Sequence, residues 1–372
     1  MIIGVPREIK DHEYRVAVTP AGVQQLVNDG HQVLVQIGAG NGTSLHDEDY
    51  RKAGASLRDS AQHIYAEAEL IVKVKEPQPE EYDCLREGMI LFTYLHLAPE
   101  LVLTRELLKR RVNAIGYETV RLDNGSLPLL TPMSEVAGRM AVMEGAKYLE
   151  SARGGKGILL SGVPGVRPGE VTILGGGTAG LNAAKVALRL GARVNLLDIS
   201  LQRLRFLDDI LPNVTTYIYT PLTLDRLLPS TDLLIGTVLL PGARTPKLVT
   251  REMLSRMEKG SVIVDVSIDQ GGCIETSRPT THSEPTFMVD GIVHYCVSNM
   301  PGSVAHTSTF ALTNATFPYV RDLANRGFQQ AVQSDAALAR GVNTCNGRLT
   351  DQAVAEALNL EYTPLSESFS HP

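Results

Sequence analysis

The residues with the clearest chemical meaning lie in the stretch VTILGGGTAGLNAAKVALRLGARVNLLD. Gly175, Gly177 and Gly180 form a GxGxxG turn directly after an apolar, strand-like run and at the opening of a helix-like one. Gly175 permits a tight turn, Gly177 lets the backbone approach a pyrophosphate, and Gly180 allows close packing of helix on strand. The N-terminus of the following helix offers N–H groups and a positive dipole end to the phosphates. Asp198 closes the next strand about 20 residues on, where a ribose-binding acid is expected. Its carboxylate would accept from the ribose hydroxyls and repel a 2′-phosphate, which favours NAD. Arg203 and Arg205 nearby leave NADP as the alternative.

Four further residues could carry chemistry. In DHEYRVAVTP, Arg15 opens an apolar, strand-like stretch. In IVKVKEPQ, Lys73 and Lys75 take alternating strand positions, with Lys75 at the strand's end. In LFTYLHLAP, His96 follows Tyr94 by two residues where a strand gives way to a loop. Ligands of open parallel sheets gather at the C-terminal ends of strands, which is where Lys75 and His96 fall. Asp269 follows a buried strand in VIVDVSIDQGGC. Taken singly, each has an ordinary reading. A lone Arg or Lys is most often a solvated surface residue, a His beside apolar residues a satisfied loop or core residue, and Asp265 or Asp269 a cap or turn former.

The elements that position these residues follow a strand–helix rhythm. Strands are expected at Ile2–Val5, His31–Ile37, Leu70–Val74 and Met89–Tyr94, with helices at Pro20–Asp29 and Pro99–Arg110. The segment Thr131–Glu150 has helical spacing, with Ser134 near its start, and SARGGKGILLSGVPGVRPGE reads as loop. From Val171 the rhythm resumes through strands Val171–Leu174, Arg193–Leu197, Leu233–Gly236 and Val262–Val266, with a helix over Ala179–Leu190. Thr309–Arg326 and Ala331–Leu358 are mostly helical in pattern. Alternation of this kind implies parallel sheets covered by helices, an α/β fold.

A length of 372 residues suggests two domains. We expect residues 131–299 to form a Rossmann-type NAD-binding domain. It would be inserted into a Rossmann-like (flavodoxin-like) substrate domain made of residues 1–130 and 300–372, with junctions near Thr131 and Asn299; a contiguous arrangement is the alternative. The formal charge of −6 argues against nucleic acid or an anionic membrane as a partner, since both need a basic surface. Cys84, Cys273, Cys296 and Cys345 are scattered without a CxxC pair, which fits reduced thiols and no structural zinc. No signal peptide or membrane helix is evident, and a cytoplasmic protein is expected.

With these residues in view, the chain resembles the alanine dehydrogenases almost end to end. The likeness is carried by GVPREIK, YRVAVTP, VKVKEP, LFTYLHLAP, LPLLTPMSEVAGRMA, GVPGVRPGEVTILGGGTAG, VIVDVSIDQGGC, NMPGSVAHTSTFALTNAT and PYV. The resemblance implies reversible, NAD-dependent oxidative deamination of L-alanine to pyruvate and ammonia by a homohexamer. It implies that Arg15 and Lys75 hold the substrate, that His96 is the general acid/base, and that Asp269 assists. It also implies cofactor contacts from Ser134, Gly175, Gly177, Thr178, Gly180, Asp198, Arg203, Val238, Leu239, Ile268, Arg278, Val297, Ser298, Asn299 and Met300. Some relatives hold a metal ion between Glu118 and a downstream histidine; LANRGFQQ has Arg326 and no histidine, so no metal is expected here. Another departure is CVSNMPGSVAHTS, where relatives more often have proline before the asparagine–methionine pair and after the following valine. Alternatives are an NAD-binding transhydrogenase-like subunit and a dehydrogenase of another amino acid.

Overall fold

A computed structural model of the chain describes residues 1–238 and 245–369. It divides into two compact units, Met1–Met133 with Gly302–Pro372, and Ser134–Pro301. The first unit begins with β1 (Ile2–Val5), β2 (Gln32–Gln36), β3 (Ser56–Arg58), β4 (Leu70–Val72), β5 (Ile90–Thr93) and β6 (Asn113–Gly116). The second holds β7 (Glu170–Leu174), β8 (Arg193–Asp198), β9 (Val214–Ile218), β10 (Leu233–Gly236), β11 (Val262–Asp265), β12 (Thr286–Val289) and β13 (Ile292–Tyr295). The chain then returns to the first unit for β14 (Val342–Cys345) and β15 (Arg348–Leu349).

The first sheet runs β15-β14-β6-β5-β4-β1-β2-β3, and β1 to β6 are parallel. The second runs β12-β13-β11-β10-β7-β8-β9, parallel except at its β12 edge. In each, the strand order reverses beside the unit's first strand, next to β1 and next to β7. Such a switch point opens a crevice at the carboxyl ends of the strands.

Alternation within the central strands puts apolar side chains on both faces. In the second unit Val171, Ile173, Leu233, Ile235, Val262 and Val264 pack on one side with Ala183, Ala184 and Ala187 of helix Thr178–Arg189. Leu174, Leu234 and Ile263 face the other side with Leu224, Leu228 and Leu254. In the first unit Leu34, Ile71, Leu91 and Ala114 meet Ile64, Leu103 and Leu107 from the covering helices. Strands buried on both faces read as continuous apolar runs, which is how the sequence shows them.

Three expectations about local structure need correction. The strand-like RVAV after Arg15 is irregular, because its N–H groups bond to side chains: Arg15 N–H donates to Glu13 Oε1 at 3.1 Å, and Val16 N–H to Thr309 Oγ1 at 3.2 Å. Strand β4 ends at Val72, so Lys73 and Lys75 lie beyond it, although Lys73 N–H still reaches Phe92 O at 3.1 Å. Finally, the helical pattern over 331–358 is interrupted by the antiparallel β14–β15 hairpin. Asn346 and Gly347 occupy left-handed backbone at φ 49° and 81°, the turn that an Asn-Gly pair favours. Among the described residues no helix is long and apolar enough to cross a membrane.

Candidate active site

In the second unit the glycine-rich turn joins β7 to helix Thr178–Arg189. Gly175 has φ +95°, and a Cβ on Gly180 would lie 1.9 Å from the Gly175 carbonyl oxygen. A Cβ on Gly177 would meet nothing within 4 Å. The turn thus leaves room for a ligand where the fingerprint puts the pyrophosphate, and Thr178 opens the helix behind it. Asp198 ends β8, and its carboxylate holds the turn as well, accepting from Gly176 N–H at 2.7 Å and Ser200 N–H at 2.8 Å. Arg203 donates from Nε to Gly176 O at 2.5 Å and lies over the Phe206 ring, so its guanidinium is tied to the same loop. Burial lowers its pKa, against the pull of Asp198. These residues fit a dinucleotide with free ribose hydroxyls.

The other residues expected around the cofactor fall on one α-helix, in segments that follow strands β10, β11 and β13, and, for Arg278, in the loop before β12. Ser134 lies in the first turn of helix Thr131–Tyr148, and Val238 follows β10. Leu239 lies outside the described residues. Ile268 is buried and Asp269 exposed on the short 3-10 helix Val266–Gln270 after β11. Buried Asp265 holds that segment by accepting from the N–H groups of Ser267 and Ile274 at 3.1 and 3.2 Å. Val297, Ser298, Asn299 and Met300 follow β13; Val297 and Met300 are buried, and Asn299 has φ 58°. Arg278 is exposed and stacks over the Phe287 ring at 4.4 Å.

In the first unit, the loops after β4 and β5 lie next to the switch point beside β1. The Lys75 ammonium stands over the Tyr94 ring, 5.8 Å from its centre. Tyr94 is parallel to the His96 imidazole, with ring centres 5.6 Å apart. Burial pushes the Tyr94 hydroxyl up, so it stays neutral and donates to Leu129 O at 2.6 Å. His96 sits in left-handed backbone at φ 47°, an uncommon state for a histidine. Glu118 holds that turn, accepting from His96 N–H at 2.6 Å and Leu95 N–H at 3.2 Å. The imidazole itself is 40% exposed.

Arg15 is only 2% exposed. Its guanidinium donates to both Glu13 carboxylate oxygens, at 2.7 and 2.5 Å, and approaches Met133 Sδ at 2.9 Å. Burial opposes its charge, but Glu13 more than offsets this and raises the pKa. The geometry therefore places Lys75, Tyr94 and His96 together, with Arg15 on a buried carboxylate partner. Glu13 and Glu8, which bonds the Val74 N–H, were not singled out from the sequence, and Glu118 was named there only as a metal ligand of some relatives, not as the residue that holds the His96 turn. Glu8 and Glu13 lie in the charged run PREIKDHEYR, which reads as a solvated loop, so their role becomes visible only once burial is known.

Residues 4–137 match the family model "Alanine dehydrogenase/PNT, N-terminal domain", and residues 141–352 match "Alanine dehydrogenase/PNT, C-terminal domain". The chain is 54% identical to an alanine dehydrogenase of Methanococcus maripaludis, with all of both chains covered. It is 57% identical to one of Halomonas elongata, over 97% of this chain and 98% of the relative. A solved L-alanine dehydrogenase superposes with TM-score 0.92 at 49% identity, covering 96% of this chain and 99% of that one. A transhydrogenase from Sinorhizobium meliloti shares the fold, with TM-score 0.80 at 24% identity over 95% and 100% of the two chains. With both domain models matched and identity above half along its whole length, the chain belongs to the alanine dehydrogenase/PNT family.

Proposed function

We propose that this protein catalyses the reversible, NAD-dependent oxidative deamination of L-alanine to pyruvate and ammonia. The observation that carries the reading is the grouping of Lys75, Tyr94 and His96 at strand ends in a chain whose relatives, named alanine dehydrogenases, match it throughout. Gly175, Gly177, Thr178, Gly180, Asp198 and Arg203 hold NAD, which when bound accepts the hydride from the alanine Cα. Arg15 holds the substrate carboxylate with its planar fork. Lys75 bonds the developing carbonyl oxygen and stabilises the negative charge that forms there. His96 takes a proton from the water that attacks the iminium carbon of the oxidised substrate, a role its exposure permits. The carbinolamine then collapses, its C–N bond breaks, and pyruvate and ammonia leave. Asp269 assists proton movement.

The substrates are small molecules, and the enzyme works in the cytoplasm as a homohexamer. Light scattering on purified protein should give the mass of six chains, and a monomer mass would contradict that assembly. The reaction is tested by following NADH absorbance with NAD and L-alanine, and in reverse with pyruvate, ammonia and NADH. Turnover in both directions is expected, with D-alanine and NADP nearly silent. No alanine-dependent NADH from protein that still binds NAD would overturn the reading.

A further inference from the structure

The substrate-side residues sit in a buried network of charges. Lys73, fully buried, lies 3.1 Å from Glu8 Oε2 and 3.0 Å from Glu81 Oε1. Glu13 is paired with Arg15, and Glu76 with Lys10 while facing Lys75. The cations Arg15, Lys73, Lys75 and Lys10 therefore match the carboxylates Glu8, Glu13, Glu81 and Glu76 one for one. All but Lys10 are buried. In such a site water cannot screen an added charge, so a substrate carboxylate entering beside Arg15 leaves one negative charge uncompensated.

The four carboxylates differ in how well they are held. Glu13 grips Arg15 through both oxygens. Glu81 accepts from Tyr65 O–H and Gln78 N–H, each at 2.9 Å, besides Lys73. Glu76 has Lys10 and Lys75, and its pKa is lowered although burial works the other way. Glu8 Oε1 accepts from Val74 N–H at 2.6 Å and weakly from Lys75 N–H at 3.4 Å, while Oε2 has, among the described residues, the ammonium it shares with Glu81. Glu81 and Glu13 add like charge around Glu8, and Arg15, Tyr65 and Tyr117 also lie within its electrostatic reach.

We propose that Glu8 takes up one proton from solvent, on Oε2, each time pyruvate binds, because its carboxylate, unlike that of zwitterionic alanine, brings no compensating ammonium. This rests on the reading that Arg15 and Lys75 hold that carboxylate. Lys73 then stays paired with Glu81, and the cluster returns to charge balance. Burial pushes the free Glu8 carboxyl up to about 7, so the uptake is expected at and just above neutral pH. Above that pH, pyruvate affinity should fall by about tenfold per pH unit, the slope of a one-proton linkage.

The test is calorimetric titration of the NADH-loaded protein with pyruvate, without ammonia, about one pH unit above Glu8's value, in two buffers of different ionisation heat. About one proton taken up per pyruvate is expected. Uptake should disappear in Glu8→Gln and persist in His96→Gln, which separates it from protonation of the imidazole. Infrared difference spectra of wild-type protein give a second reading that does not depend on either variant folding. Pyruvate should bring up the C=O band of a protonated carboxyl. Pyruvate heat without proton uptake, uptake that survives Glu8→Gln, uptake lost in His96→Gln, or no carboxyl band would each overturn the proposal alone. No pyruvate heat together with no alanine-dependent NADH would instead overturn the functional reading, and the proposal with it.

Discussion

At the scale of single residues, the two side chains to which we assign the acid/base and carboxylate-binding roles differ in how they are held. His96 is held by its backbone rather than by its ring, since Glu118 accepts the N–H groups of Leu95 and His96. The imidazole can therefore be removed without disturbing the turn. His96→Ala should bind NADH as wild type does, by fluorescence titration, and lose about 10²–10⁴-fold in kcat, the usual contribution of a positioned acid/base. Arg15 differs, because removing it would take away the guanidinium that both Glu13 oxygens hold in a buried site. Arg15→Lys keeps a charge but loses the fork, and the shorter reach of its hydrogen bonding breaks the bidentate grip on Glu13. We expect KM for alanine to rise at least tenfold. The midpoint in urea should fall by an amount corresponding to about 1–3 kcal/mol, the cost of leaving polar groups unmatched. A variant with unchanged KM would remove Arg15 from the substrate.

At the scale of elements, the glycine-rich turn depends on a close approach of backbone to backbone. The Gly180 Cα side faces the Gly175 carbonyl with no room for a methyl group. Gly180→Ala should push helix Thr178–Arg189 away from β7, costing about 1–3 kcal/mol as overpacking does. KM for NAD should rise severalfold while KM for alanine, measured at saturating NAD, changes little. This turn was readable from sequence because strand, glycines, helix and acid are contiguous. The β14–β15 hairpin was not read, although Asn346-Gly347 is a strong local turn signal. Alanines and leucines on either side gave a helical period that hid four residues whose pairing partner, β6, lies more than 200 positions away. The irregular path of RVAV had the same cause, since Thr309, which takes the Val16 N–H, comes from far along the chain.

For the molecule as a whole, stability should depend on pH through buried groups as well as surface charge. His294 in β13 is fully buried between Ile292 O at 3.0 Å and Thr276 Oγ1 at 2.8 Å. With Nδ1–H donating to the carbonyl and Nε2 accepting the hydroxyl proton, the ring is neutral. Burial lowers its pKa below the ordinary 6.5, despite Asp265 and Asp290 nearby. A base with a depressed folded pKa binds fewer protons folded than unfolded, so stability is intact above 6.5 and is lost as the pH falls below it. Urea midpoints at about pH 7.5 and 5.5 should therefore differ, and the difference should shrink in His294→Asn. An equal difference in both proteins would assign the pH dependence to other groups.

What the sequence by itself determined is whatever is encoded locally: the βαβ rhythm, the NAD-type turn with Asp198, and the family likeness that runs through its motifs. Periodicity and turn chemistry act over a few residues, so they survive without knowledge of the fold. Only the tertiary structure decided which charges are buried and what they pair with. Arg15 on Glu13, Lys73 between Glu8 and Glu81, and Glu118 under the His96 turn all join residues through space. The cost of burying a charge, and hence its pairing and its protonation, depends on surroundings assembled from distant parts of the chain.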